Sequence, residues 1–220
     1  GVVQKRLELL HNYVSENGCD DNEVISALSI TLDVAARINN DEIMAVLRKI
    51  SQLQLDAESE LFLVKAMALN NMPVSAEAVN RLVDFDASRF LRILSSIGRM
   101  DLLNESNITQ EKIAYSEMRN WLSHPSECGD TLDKLEFVDT LIHNEYLYYI
   151  FKYTSTAPKL QERGFMIGVA GGYDKDMISD NETGHTFSDF EPIGDNYKEQ
   201  ALSIIKMISD YWKRAAEQTE

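Results

Sequence analysis

The chain has 220 residues, 44% hydrophobic and 26% charged, with four prolines and ten glycines; that balance excludes a disordered or fibrous protein and suits one large or two small domains. Its net charge is −15, with 10 basic and 16 acidic residues in 1–107 and 11 and 20 in 108–220. Neither half is basic, which argues against nucleic acid or an anionic membrane as partner, since both are bound through clustered Lys and Arg.

From the N-terminus, Val3, Leu7, Leu10 and Val14 recur at helical spacing until Asn17-Gly18, where glycine accepts a helix C-terminus. Asp20 or Asp21 caps a second helix carrying Val24, Leu28, Thr31, Leu32 and Ala35 on one face. Asn39-Asn40-Asp41 is a turn and cap before Ile43, Val46, Leu47 and Ile50. A fourth pattern runs from Ala57 to Asn70 and is broken at Met72-Pro73. Ser75 caps a short helix to about Val83, and Asp86 caps another to Ile97, closed by Gly98. Six helices on short loops, in pairs ending near Ile38, Asn70 and Ile97, have the rhythm of HEAT or armadillo repeats. No residue-level consensus repeats, so a plain helical bundle stands beside that reading.

After residue 107 the texture changes. Asn107-x-x-Gln110 reads as a capping box opening a helix to Leu122, which His124-Pro125 ends. Residues 133–142 fit a strand or a helix. Tyr146 to Tyr153 alternates Leu147, Tyr149, Phe151 and Tyr153 with Tyr146, Tyr148, Ile150 and Lys152, the pattern of a central strand. Gly164 to Gly172 sets Phe165, Ile167 and Val169 against Met166, Gly168 and Ala170, whose small side chains predict close approach by another element. A third strand is predicted over Thr186 to Ile193, interrupted by Pro192. Asp195 or Asn196 starts a long C-terminal helix with Ala201, Ile204, Ile205, Ile208 and Trp212 on one face, predicted to cover one side of a small antiparallel sheet. The expectation is an α+β chain: an all-α helical-hairpin domain over 1–107 and an α+β domain over 108–220.

The run Trp121-Leu122-Ser123-His124-Pro125-Ser126-Glu127-Cys128-Gly129, with Leu135-Glu136, Gly164 to Tyr173 and Thr186-Phe187-Ser188, resembles a C-terminal module of uncharacterised bacterial proteins. In those proteins it often follows HEAT-like helical repeats. The resemblance covers about residues 116–215 and implies the two-module layout and a bacterial source; it brings no activity with it. Cys128 stands where that module has Leu, and Asp130 to Asp133 lacks the prolines that precede its acidic pair.

Candidate chemistry is sparse. His124, His143 and His185 share the second module with Glu127, Glu145, Asp189 and Glu191, without a metal-ligand spacing. The acidic loop Asp174 to Glu182 would need an oxygen ligand at its fifth position to bind calcium as an EF-hand, and Ile178 stands there. Gly168, Gly171 and Gly172 follow a strand, but no helix opens after them to offer amides to a phosphate. Ser123, Ser126 and Ser188 lack a nucleophile-elbow context. Tyr146, Tyr148, Tyr149 and Tyr153 read first as core and sheet-surface residues, and are the best sequence candidates for a groove if one is present. Cys19 and Cys128 form no C-x-x-C or zinc pattern; free thiols point to a reducing compartment, here the cytoplasm. Gly1 in place of Met leaves a processed start or a missing upstream segment open. No catalytic, cofactor-binding or metal residue is assigned. The expectation is a soluble protein–protein interaction module with a protein partner. The alternatives are a hydrolase-type enzyme with its site in the second module, or an acidic regulator of immunity type masking a basic partner.

Overall fold

The computed structural model describes residues 1–122, 132–155, 157–174, 185–187 and 191–218. The fold is α+β, and the chain divides into two compact units, Gly1–Thr109 and Gln110–Glu220.

The first unit is helical throughout: α1 (Val2–Asn17), α2 (Asn22–Ala35), α3 (Asp41–Ile50), α4 (Ala57–Leu69), α5 (Ala76–Ser96) and a short 3₁₀ turn, Met100–Leu103. Its polar turns act as caps. Asp21 accepts from the Glu23 amide, Asn40 from Ile43, Asp56 from Ser59 and Ser75 from Ala78, each satisfying an orphan donor of a first turn. The two helices read around Asp86 are both present, meeting at that residue within α5. Asp86 has φ −159° and ψ 84°, and its carboxylate caps the second segment at the Arg89 amide, 3.2 Å away. Leu7, Leu28, Leu32, Leu47 and Ile50 form the buried centre of this unit, each contributing about 1.5–3 kcal/mol of burial.

α1 packs on α2 and on α3, while α4 packs on α3 and on α2. Two helical pairs are therefore laid one on the other, first helix against first and second against second. α5 continues the order only on one side: it packs on α4, and among the described residues no comparable α3–α5 layer follows. The layout sets neighbours; it does not establish a HEAT-type repeat.

Cys19 sits under this stack. Its thiol donates to Asp56 Oδ1 at 3.1 Å, the carboxylate that caps α4. Burial, the neighbouring carboxylate adding to it, pushes the Cys19 thiol up from its ordinary value. The thiolate is the reactive form. Cys19 is thus expected to resist a thiol-specific reagent in native buffer and to react once denaturant opens the unit. Stoichiometric labelling of Cys19 at native rates typical of free cysteine would contradict its placement.

The second unit comprises α6 (Gln110–Leu122), β1 (Leu132–His143), β2 (Tyr146–Ser155), the single turn α7 (Pro158–Gln161), β3 (Met166–Asp174), β4 (His185–Phe187) and α8 (Tyr197–Glu217). The strands form one antiparallel meander in the order β1-β2-β3-β4. The ambiguous residues 133–142 are strand, long enough to pair with β2 through two bulges. The tight β1–β2 connection is Asn144-Glu145, both at positive φ (51° and 68°), as a two-residue hairpin of matching twist requires. The strand read over Thr186 to Ile193 is shorter. β4 ends at Phe187, and Ile193 donates to Phe165 O and Ile167 to Glu191 O beside the start of β3; residues 188–190 lie outside the described residues.

The pleat sorts β2 and β3 between two helices. Ile150, Ile167 and Val169 pack with Ala201, Ile204 and Ile205 of α8. On the opposite face Phe151 pairs with Gly168, Tyr149 with Ala170 and Tyr153 with Met166, and α6 packs on β1 and β3. The expectation of one covered side is therefore corrected: α6 covers the other. The small residues Gly168 and Ala170 lie beneath it, as their size predicted. α6 also begins at Gln110, two residues later than an Asn107 cap would require. Asn107 instead ties back to α5, its amide donating to Asn80 Oδ1 and its side chain to Asp84.

Candidate functional site

In the first unit a groove lies between the α3–α4 loop, α4 and α5. Its floor is Leu63, Val64 and Met67 of α4; one wall is Leu53 and Leu55 of the α3–α4 loop, and the other is Ala78, Arg81 and Leu82 of α5. α4 ends at Leu69, closed by Asn71 at positive φ (52°) and by the Met72 amide on Met67 O, and Pro73 and Val74 also line the groove. The groove has two contiguous lobes of about 360 Å³ each, sharing Leu53, Leu55, Glu60 and Arg81. Each is within the size range of ligand and side-chain pockets.

One ion pair spans both lobes. Arg81 Nε lies 2.9 Å from Glu60 Oε1 and Nη2 lies 3.4 Å from Oε2. The Glu60 side chain is 14% exposed and that of Arg81 62%. With the guanidinium on the exposed side, the pair contributes about 0.2–1 kcal/mol, and it sets one charge pair across both lobes. The hydroxyls on the rim are already committed. Ser51 donates to Arg48 O at 2.7 Å and Ser75 accepts from the Ala78 amide at 3.2 Å. The groove therefore has a mixed lining, Leu53, Leu55 and Val74 beside Gln52, Gln54 and the Glu60–Arg81 pair, and its serines serve as helix caps. That combination suits binding of an apolar side chain or segment.

A second exposed surface lies on α2 and α4. Ile30, Val34 and Leu69 are exposed there, with Lys65 donating to Asp33 at 2.7 Å across the two helices. Arg89 of α5 makes a two-point pair with Glu58 of α4, both at 2.7 Å, and stacks over Phe62. These pairs fix the helices to each other.

The residues singled out by sequence lie elsewhere and do not converge. His143 ends β1 and His185 begins β4, the two opposite edge strands of the sheet. Three strand spacings, about 14 Å of backbone, separate their positions in the sheet. Glu145 is exposed in the hairpin turn and Glu191 is exposed before α8. Among the described residues no three His, Cys, Asp or Glu side chains group as metal ligands. His124, Glu127, Cys128, Asp189, Ser123, Ser126, Ser188 and most of the acidic loop lie outside the described residues.

The tyrosines lie in the core and on the sheet surface, the first of the two sequence readings, and not along a groove. Tyr149 and Tyr153 are fully buried on the α6 side, Tyr148 packs toward α8, and Tyr146 is exposed at the turn. The pleat divides neighbours between faces, and two helices then cover both. Burial, with the Glu117 carboxylate adding to it, raises the Tyr149 phenol well above its ordinary range, so it stays protonated and donates to Gln110 Oε1 at 3.5 Å. Gly171 is a point of close backbone approach opposite the bulge at Leu147-Tyr148. The groove went unread because its walls come from segments separated in the sequence.

Among the described residues no helix is long and apolar enough to cross a membrane. No protein-family profile, curated protein or solved structure matches the chain.

Proposed function

We propose that the chain is a protein-interaction module of the bacterial cytoplasm whose helical unit, a HEAT-like stack, receives an apolar segment of a protein partner in the groove between the α3–α4 loop and α5. The observation that carries this reading is the groove itself: two lobes of about 360 Å³ walled by Leu53, Leu55, Leu63, Val64, Met67 and Leu82. Such concave helical surfaces serve recognition through apolar anchors and a polar rim. The layering of α1 on α3 and α2 on α4 supports the stack. The net charge of −15 favours a protein partner over nucleic acid.

The test is capture from the chain's own cells, comparing the wild type with Ala78→Trp, which fills the groove from α5, and with Ser26→Glu on exposed α2 as control. The reading expects a protein retained by the wild type and by Ser26→Glu and lost by Ala78→Trp. Equal recovery by Ala78→Trp would overturn the groove. Hydrolysis by the isolated chain, abolished on replacing His143 or His185, would overturn the interaction reading in favour of an enzyme.

A further inference from the structure

Among the described residues β1 is an edge of the sheet, and it runs for 12 residues. An edge strand that long presents a row of amides to any passing strand. The hairpin geometry says which ones. A two-residue turn makes His143 and Tyr146 a hydrogen-bonded pair, and pairing alternates from there. Asp139, Leu141 and His143 therefore bond inward to β2, while the amides of Thr140 and Ile142 point out from the open edge.

Two side chains occupy the outward donors on one side of Ile142. The Thr140 amide donates to Asp139 Oδ1 at 2.8 Å. In the bulge before it, the Phe137 amide donates to the Tyr115 hydroxyl of α6 at 3.0 Å. Asp139 is itself held. Its Oδ2 accepts from the Tyr197 hydroxyl at 3.0 Å and lies 3.2 Å from Lys198 Nζ, both on the first turn of α8. The bulges at Asp133/Glu136 and Phe137/Asp139 bend the remainder of the edge. Ile142 is left as the outward position nearest the turn, its side chain 63% exposed.

We propose that Asp139 is a clasp that closes the sheet edge: one carboxylate oxygen occupies the outward Thr140 amide while the other is gripped by α8, so that β1 cannot pair with β1 of a second copy of the chain. The occupant excluded is a second copy because two β1 edges can meet about a two-fold axis and satisfy each other's donors. Opening the clasp frees Thr140 beside Ile142 and leaves two consecutive outward donors next to an exposed apolar side chain. This device belongs to the second unit and does not rest on the groove reading.

The test compares the full chain as wild type, Asp139→Ala and Asp139→Ala with Ile142→Lys. Amide exchange by NMR and sedimentation over a range of concentrations are measured below the melting temperature. In Asp139→Ala the Thr140 amide should exchange about tenfold faster or more at low concentration, as expected for a lost local hydrogen bond. Its assembly should grow with concentration beyond that of the wild type, and Ile142→Lys should return it to the wild-type state by placing charge on the pairing edge. Unchanged Thr140 exchange with unchanged assembly would overturn the clasp. So would self-association that Ile142→Lys leaves intact, because the contact would then lie elsewhere. If Asp139→Ala does not fold, Tyr197→Phe with Lys198→Met releases the grip without touching β1. The same order of effects is expected from it, and wild-type behaviour would overturn the proposal.

Discussion

Replacing Phe151 by Ala is expected to destabilise the second unit by about 3–5 kcal/mol, the cost of a large buried aromatic. Phe151 is fully buried at the middle of β2, the strand flanked by both β1 and β3. Its ring meets Phe137 edge-on at 6.1 Å, and Phe137 in turn meets Tyr149 at 6.4 Å. Deleting it removes transferred area, leaves a cavity under α6 and ends one aromatic pair, itself worth about 0.5–1.5 kcal/mol. Both tryptophans, Trp121 and Trp212, belong to this unit by sequence, so their fluorescence in a denaturant titration reports it alone. A midpoint equal to the wild type would contradict the central placement of β2.

Gly171→Ala is expected to cost at least about 3 kcal/mol, the upper end for one strained backbone position. Gly171 has φ +127°, a conformation that L-residues rarely adopt, and an added Cβ would lie 2.6 Å from Leu147 O and 3.0 Å from Tyr148 Cα. Both obstacles are backbone and belong to the bulged neighbour strand, so neither can swing aside. Gly164→Ala is the comparison: φ is +71° with nothing within 4 Å, and its cost should be about 1–2 kcal/mol, that of the left-handed conformation alone. Equal costs in the same fluorescence titration would show that the close approach at Leu147 is absent.

The clasp also has a pH signature. The Thr140 amide, with Lys198 and Tyr197 beside it, holds the Asp139 carboxyl below its ordinary value. A carboxyl that ionises more readily folded than unfolded stabilises above the unfolded value, near pH 4, and that contribution disappears as pH falls through the lower folded value. The difference in melting temperature between wild type and Asp139→Asn should thus be present at neutral pH and shrink below about pH 4. A difference that persists unchanged at the lowest pH would deny the carboxylate its role.

Much of the fold was legible because it rests on local chemistry. Asp21, Asn40 and Ser75 announce helix starts, and Asp86 marks a break that backbone angles confirm. The switch from helical to two-residue periodicity placed β2 and β3. Other features depend on partners remote in sequence. α6 turns Ile113, Ala114, Ser116 and Glu117 inward, too mixed a face to advertise that it covers a sheet. Asp139 reads as one more surface acid until Tyr197 and Lys198, 58 and 59 positions on, arrive beside it. The groove is less legible still, since its lining comes from the α3–α4 loop, α4 and α5, segments separated in sequence. The tyrosine stripe was legible as core and sheet surface, but alternation gives only the face of each ring and not which helix covers it.

The most direct test of the interaction reading is calorimetric titration of the captured partner into the whole chain and into Ala78→Trp, at several temperatures. Closure of the groove on an apolar segment should give a negative heat-capacity change, the signature of buried apolar surface, and Ala78→Trp should weaken binding tenfold or more, a change of about 1.4 kcal/mol, while melting as the wild type does. Affinity and heat capacity unchanged in a folded Ala78→Trp would contradict the account.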